Sequence, residues 1–402
     1  MRISNNTIYD QSITTMLQQQ ENLLKTQQQV STGRRILTPA DDPVASARAL
    51  EVSQAASANA QYAVNRNSAK NSLGLEESTL QSLTGLIQDL RTATVGAGNP
   101  VLSNNDRAGM AAELRGRLDQ LTGLANSTDG AGQYMFSGYQ GNTKPFALTA
   151  TSAQYAGDQG QLLVQVGATR QIGISDSGSD IFERIKTGNG VFVLAADATN
   201  AGSGVSSPGS VANPAALTGH NYQINFSVIG GATTYDVVDT TTSTTLSTGN
   251  AYTSGNEIIV DGMRLDIQGS PGNGDRFTIT PTSNQSLFET LSDLIGAIAN
   301  PINSTAGSTR LTNALNAALA NLDHALDNVL RVRATVGARL QEIDALDSLG
   351  GDLSLQYEKT LSQLQDVDYA KAISDLTRQQ TYLEGAQKSF LKVSALSLFN
   401  YI

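Results

Sequence analysis

Few side chains in this 402-residue sequence have the type and spacing to do chemistry. There are two histidines, His220 and His324, and no cysteine, so thiol catalysis, disulfides and cysteine-based metal sites are excluded. His324 lies in NLDHALDN, where a metal reading would use Asp323, His324 and Asp327. On a helix Asp323 and Asp327 share a face that His324 leaves, so the spacing reads as a solvated helix face. His220 stands in the loop TGHNY with no partner pattern around it. Asp41-Asp42 has the look of a paired-carboxylate acid/base site. Pro43 follows directly, and the more economical reading makes Asp42 an N-cap and Pro43 the first residue of a helix. HExxH, GxSxG, phosphate-loop and EF-hand patterns are absent. The expectation is a chain with no catalytic, cofactor or metal site.

Composition excludes further classes. Net charge is −10, and Arg34-Arg35 is the only adjacent basic pair of note, so nothing offers a stripe for nucleic acid. No stretch is apolar enough to span a membrane. MRISNNTIYDQSITTML contains no signal-peptide core or cleavage pattern, so export by that route is not expected. Only 5% of residues are aromatic and none is Trp, which disfavours an aromatic-lined ligand pocket.

The periodicity is helical at both ends. Over 12–32, Met16, Leu23 and Val30 recur every seven residues, as do Leu17 and Leu24, and with Ile13 they read as one apolar stripe. Gly33 is the expected stop. Helices are expected over 43–95 and 106–126. From 130 to 175 the pattern turns to short strands.

Residues 187–285 contain no Lys, two Arg and seven acids, hence −5. Two-residue turns at Gly230-Gly231 and Asp261-Gly262 mark hairpins, and SPGNGD (270–275) marks another turn. Helix returns near Ser286. From Ser308 a four-three seam runs through Leu315, Leu319, Leu322, Leu326, Val329, Arg333, Val336, Leu340 and Ile343, and Gly350-Gly351 is expected to interrupt it. The last helix continues the spacing with Ala372, Leu376, Gln379, Leu383, Ala386, Phe390 and Val393, and the sequence finishes with Leu396, Leu398, Phe399, Tyr401 and Ile402.

The fold expected is mainly α with inserted β: a long antiparallel helical bundle or coiled coil made by the N- and C-terminal segments, with a β-rich inserted domain. Three parts follow: 1–42 with 360–402 as a terminal assembly domain, 43–186 with 286–359 as a helical domain with a short β region at 130–175, and 187–285 as an all-β insertion. The terminal seams lack partners enough within their own helices, which points to assembly with other copies or other partners.

Five segments carry a resemblance: QQQVSTGRRILTPADDPVASARALE (27–51), QYAVNRNSAKNSLGLEESTLQ (61–81), GQYMFSGYQGNTKPF (132–146), VGARLQEID (336–344) and DVDYAKAISDLTRQQTYLEGAQKSFLKVSALSLFNYI (366–402). Together, and in this order, they resemble the flagellin-like axial proteins of the bacterial flagellum. FSGYQGNTKPF and the ending SLFNYI are more similar to the junction members of that family than to flagellin. No strong match is found for 187–285.

The resemblance implies a structural adaptor with no enzymatic activity, extracellular in the flagellum, exported unfolded by the flagellar type III system without a cleaved signal peptide. It implies terminal helices that order on assembly, so Ile13, Met16, Leu17, Leu23, Leu24, Val30, Leu376, Leu383, Phe390, Val393, Leu396, Leu398 and Phe399 are the expected assembly contacts. Implied partners are other copies in a ring or helical layer, a neighbouring hook-associated protein, flagellin, and an export chaperone on Leu383, Phe390, Val393 and Leu398. The competing expectations are a flagellin that polymerises alone, and a surface-binding module in the β insertion.

Overall fold

The structure, a computed structural model, describes residues 5–395. Among the described residues, seven helices and fifteen short strands follow one another as helix, β, helix. By its contacts the chain divides into two compact units, residues 1–65 with 345–402 and residues 66–344. Both divisions fall inside long helices.

Three helices come first: α1 (Asn5–Thr32), α2 (Pro43–Ala97) and α3 (Asn104–Ala125). Gly33 ends α1 at φ +71°, a conformation that costs glycine little. Asp42 does cap α2, its Oδ1 accepting from the Ala45 N–H at 3.0 Å. The start of α3 lies two residues before the expected one, because Ser103 and Asp106 form a reciprocal capping box.

In the unit 66–344, α2 buries Leu73, Leu80, Leu83, Ile87 and Leu90. After α3 come β1 (Phe146–Leu148), β2 (Ala153–Tyr155), β3 (Leu163–Gly167), β4 (Arg170–Gly173), the short α4 (Gly178–Phe182) and β5 (Ile185–Lys186). Phe136, Phe146, Phe182 and Phe288 stack into one buried aromatic group, with ring centroids 5.0–6.0 Å apart.

Then come β6 (Phe192–Ala196), β7 (Val205–Ser206), β8 (Ser210–Val211), β9 (Tyr222–Ile229), β10 (Ala232–Asp239), β11 (Thr244–Ala251), β12 (Glu257–Val260), β13 (Met263–Gln268), β14 (Arg276–Pro281) and β15 (Asn284–Gln285). A five-stranded sheet runs β11-β10-β9-β14-β6, and a second sheet is built on β12, β13, β7 and β8. Their inward residues, among them Tyr222, Ile224, Phe226, Leu265, Ile267, Phe277 and Ile279, close on one core. The turns lie where the sequence puts them: Ile229 pairs with Ala232 across Gly230-Gly231, and Val260 with Met263 across Asp261-Gly262. All four turn residues have positive φ, the requirement of a tight two-residue hairpin.

The chain closes with α5 (Leu287–Ala299), α6 (Thr305–Gln365) and α7 (Tyr369–Ala395). Two expectations fail here. Gly350-Gly351 does not interrupt α6. Each glycine costs the helix about 1 kcal/mol relative to alanine but removes no hydrogen bond, and the buried Gly350 carbonyl accepts from Asn59 Nδ2 at 2.7 Å. The break comes instead at residues 366–368. Nor is the α6 stripe quite the one expected. Ala318, Ala325 and Val332 are buried, whereas Leu319, Leu326 and Arg333 sit half-buried at its edge. Arg333 there pairs with Glu77.

Candidate assembly surface

The histidines are structural. His324 is half-buried rather than on a solvated face, its Nε2 3.1 Å from the Gly188 carbonyl, while Asp323 pairs with Arg91. His220 has a partner that the sequence hides: its Nδ1 lies 2.7 Å from Asp239 Oδ2. Asp239 also accepts from the Thr241 and Thr242 N–H groups, and the His220 contact and these turn hydrogen bonds outweigh its burial and hold its carboxyl at about 2. Among the described residues no group of three or more acids and histidines is placed to hold a metal.

Asp41 and Asp42 likewise build structure. Asp41 pairs with Lys25 at 2.5 Å and accepts from the Leu37 and Thr38 N–H groups. Lys25 above all, then the Thr38 N–H, lowers it to about 2. The loop that these carboxylates organise is stitched to the break between α6 and α7. The Arg35 N–H donates to the Gln365 carbonyl, the Val367 N–H donates to the Gly33 carbonyl at 2.9 Å, and Arg35 Nη2 donates to the Leu364 carbonyl at 2.7 Å. Asp368 then caps α7 through the Lys371 N–H.

Beyond this clasp α1 and α7 pack together antiparallel. The Tyr9 and Phe390 rings lie 4.8 Å apart, and the Tyr369 hydroxyl fills the space beside Gly33. The covered face of α1 is Ser12, Met16, Gln19, Leu23, Thr26 and Val30. On α7 it is Ala372, Leu376, Gln379, Leu383, Ala386 and Phe390, the four-three spacing legible in the sequence. Of the expected assembly residues, Met16, Leu23, Val30, Leu376, Leu383 and Phe390 therefore lie half-covered on the seam of the pair. The single apolar stripe expected on α1 is in fact two faces, because Leu17 (61% exposed), Leu24 (55%) and Ile13 sit on an open flank. The Val393 side chain and Leu396, Leu398 and Phe399 lie outside the described residues. Sequence reasoning missed Gln19 and Thr26, which are polar on an apolar period, and the exposed Ile373 and Tyr382 of α7.

Residues 3–141 match the model of the bacterial flagellin N-terminal helical region. The flagellar hook-associated protein 3 of Escherichia coli K12 is 31% identical over 400 residues, covering 99% of each chain. This chain belongs to the flagellar hook-associated protein 3 family. A crystal structure of flagellar hook-associated protein 3 from Legionella pneumophila superposes with a TM-score of 0.75 at 32% identity, covering 78% of this chain and 98% of that one. A crystal structure of the flagellar junction protein FlgL from the same organism gives 0.72 at 32% identity, covering 79% and 100%. The hook-associated protein 3 relationship takes in the β insertion as well, since the E. coli match runs over nearly the whole length, where motif reading found no match for 187–285.

The chemistry of the surface suits packing rather than reaction. Ile13, Leu17 and Leu24 on α1, and Ile373 and Tyr382 on α7, present apolar side chains open to solvent. Covering a leucine or isoleucine of this kind contributes about 1.5–3 kcal/mol.

Proposed function

We propose that this chain is a structural adaptor subunit that joins the hook side of the bacterial flagellum to the flagellin filament by packing against its neighbours, without catalysis. The observation that carries the reading is the open apolar flank of the α1–α7 pair, in a chain whose relatives are named as flagellar hook-associated and junction proteins. Ile13, Leu17 and Leu24 meet neighbouring subunits directly. Met16, Leu23, Val30, Leu376, Leu383 and Phe390, with Val393, Leu396, Leu398 and Phe399, form the seam of the coiled coil that these ends complete on assembly. Residues 1–42 with 360–402 act as the assembly part, 43–186 with 286–359 as its helical support, and 187–285 as the β insertion.

Contacts between copies are head-to-tail, since such interfaces close into rings or helical layers. The other partners are the adjoining hook-associated protein and flagellin. Before assembly the chain is exported unfolded through the flagellar type III route, without a cleaved signal peptide, to an extracellular position. An export chaperone covers Leu383, Phe390, Val393 and Leu398 until then.

The test is incorporation of a variant lacking residues 372–402 onto isolated hooks, followed by electron microscopy after flagellin is added. The variant is expected to keep the β core folded and to support no filament growth. Normal growth with that variant would refute the reading.

A further inference from the structure

The α1–α7 seam contains one layer that its apolar neighbours do not explain. The Oε1 atoms of Gln19 and Gln379 are both shut off from solvent, and neither has a hydrogen-bond partner. The pairing of the helices puts them at one level. Tyr9 meets Phe390, and ten residues on from Tyr9 is Gln19, while eleven back from Phe390 is Gln379. Turning one amide end for end, an assignment that hydrogen bonding decides, lets its N–H donate to the other's oxygen. With one amide turned, the two can satisfy each other in this layer.

We infer that Gln19 and Gln379 form a register lock, a polar layer that admits one alignment of α1 against α7. The inference goes beyond the adaptor reading and stands on the geometry of the pair alone. The need for a lock is written into both helices. Their covered faces repeat at four-three spacing, and the seam side chains are small or half-buried, so the apolar contacts alone discriminate poorly between alignments one heptad apart. Sliding α7 by one heptad sets Gln19 against Ala372 or Ala386, which offer no side-chain hydrogen bond. It sets Gln379 against Ser12 or Thr26, and the Thr26 hydroxyl already donates to the Asn22 carbonyl. Each slipped alignment strands at least one buried amide, and an unsatisfied buried polar group costs far more than a hydrogen bond gains. A single polar residue fixes register in other helix pairs by the same physics.

The consequence reaches the open flank. One heptad is about 10 Å of helix, so a slip would shift the exposed Ile373 along the axis relative to the exposed Ile13, Leu17 and Leu24. The lock fixes the positions of the open side chains of α7 against those of α1.

The absence of native cysteine makes the test direct. In the full-length chain, Leu23→Cys with Leu376→Cys reports the native alignment, and Leu23→Cys with Leu383→Cys reports the slipped one. Oxidation is expected to close the first pair and leave the second open. Adding Gln19→Leu and Gln379→Leu together should raise cross-linking of the slipped pair about tenfold, because the penalty for slipping is gone. Gln19→Leu alone leaves the Gln379 amide without its partner in the native alignment, and should instead speed amide exchange along α1 and α7. Unchanged exchange in the β core serves as the check that each variant is folded. A slipped pair that closes in the parent, or stays open in the double leucine variant, overturns the lock; so does a single leucine variant that slows exchange.

Discussion

The β insertion and the terminal helix pair bury their residues in opposite ways. Each core residue of the insertion is at most 9% exposed, and Phe226 packs ring on ring against Phe277 within it and against the partly buried Tyr252 at its edge. On α1 and α7 only Thr26 and Ala372 are buried among the described side chains; Leu23, Leu376, Leu383 and Phe390 stay half-covered. The first region satisfies its own hydrophobic demand. The second has a seam half-filled from within the chain and a flank that no described residue covers. A two-helix arrangement has one mutual face, and isolated helices gain little stability without tertiary packing. The difference teaches where the fold satisfies its own apolar residues and where it leaves them open, the face that the proposed assembly would cover.

The strongest way to break this comparison is to remove a large side chain from the closed core. Phe277→Ala should cost about 3–5 kcal/mol in denaturant unfolding, the usual penalty for emptying an aromatic site. A loss below about 1 kcal/mol would show that the core is not closed.

Second in size is a pH effect confined to residues 66–344. Glu76 is 2% exposed, and burial, with the Asp176 carboxylate as second cause, pushes it up to about 8. The native state therefore holds this proton where the unfolded chain has released it. Its contribution is complete below about 4.5 and is lost as pH rises through about 8. Glu76→Gln should remove that loss, leaving the variant more stable than the parent at pH 9. Unfolding curves at pH 5, 7 and 9 measure it, and parallel pH dependence in parent and variant would contradict the assignment. The terminal helices contain no buried acid among their described residues, so their exchange should not follow this titration.

Smallest in the free chain, and the sharpest contrast, is the open flank. Leu17→Ser with Leu24→Ser should change unfolding by no more than about 0.5 kcal/mol, as exposed positions usually do. The same variant should fail to incorporate onto hooks. A large stability loss without an assembly defect would place these leucines in the internal seam instead.

How much of this was legible in the sequence depended on how local the cause is. The turns at Gly230-Gly231 and Asp261-Gly262 and the cap at Asp42 rest on residues adjacent in sequence, and all three were readable. Glycine at Gly350-Gly351 misled, because it weakens a helix without ending one, and the carbonyl that Asn59 uses lies 291 residues away. On α6 the leucines drew attention to Leu319 and Leu326, whereas the face was decided by what packs there, and alanine fits more closely. His220 seemed unpartnered because Asp239 reaches it only through the sheet. The terminal seam was legible on α7, where its apolar residues keep the period. On α1 it was misread, since Gln19 and Thr26 hold positions that hydropathy assigns to leucine. The clasp between Gly33–Arg35 and Leu364–Val367 could not be read at all, because it is mainly backbone hydrogen bonding across more than 300 residues.

The central claim is that the terminal pair is completed by neighbours and the β core is not. Hydrogen exchange on the free chain tests it most directly, comparing residues 9–30 and 372–392 with 222–279, and then repeating the comparison on chain assembled at the hook. The account predicts rapid exchange in α1 and α7 of the free chain, slow exchange in the β core, and protection gained at the ends alone on assembly. Protection at the ends equal to that of the β core in the free chain would contradict it.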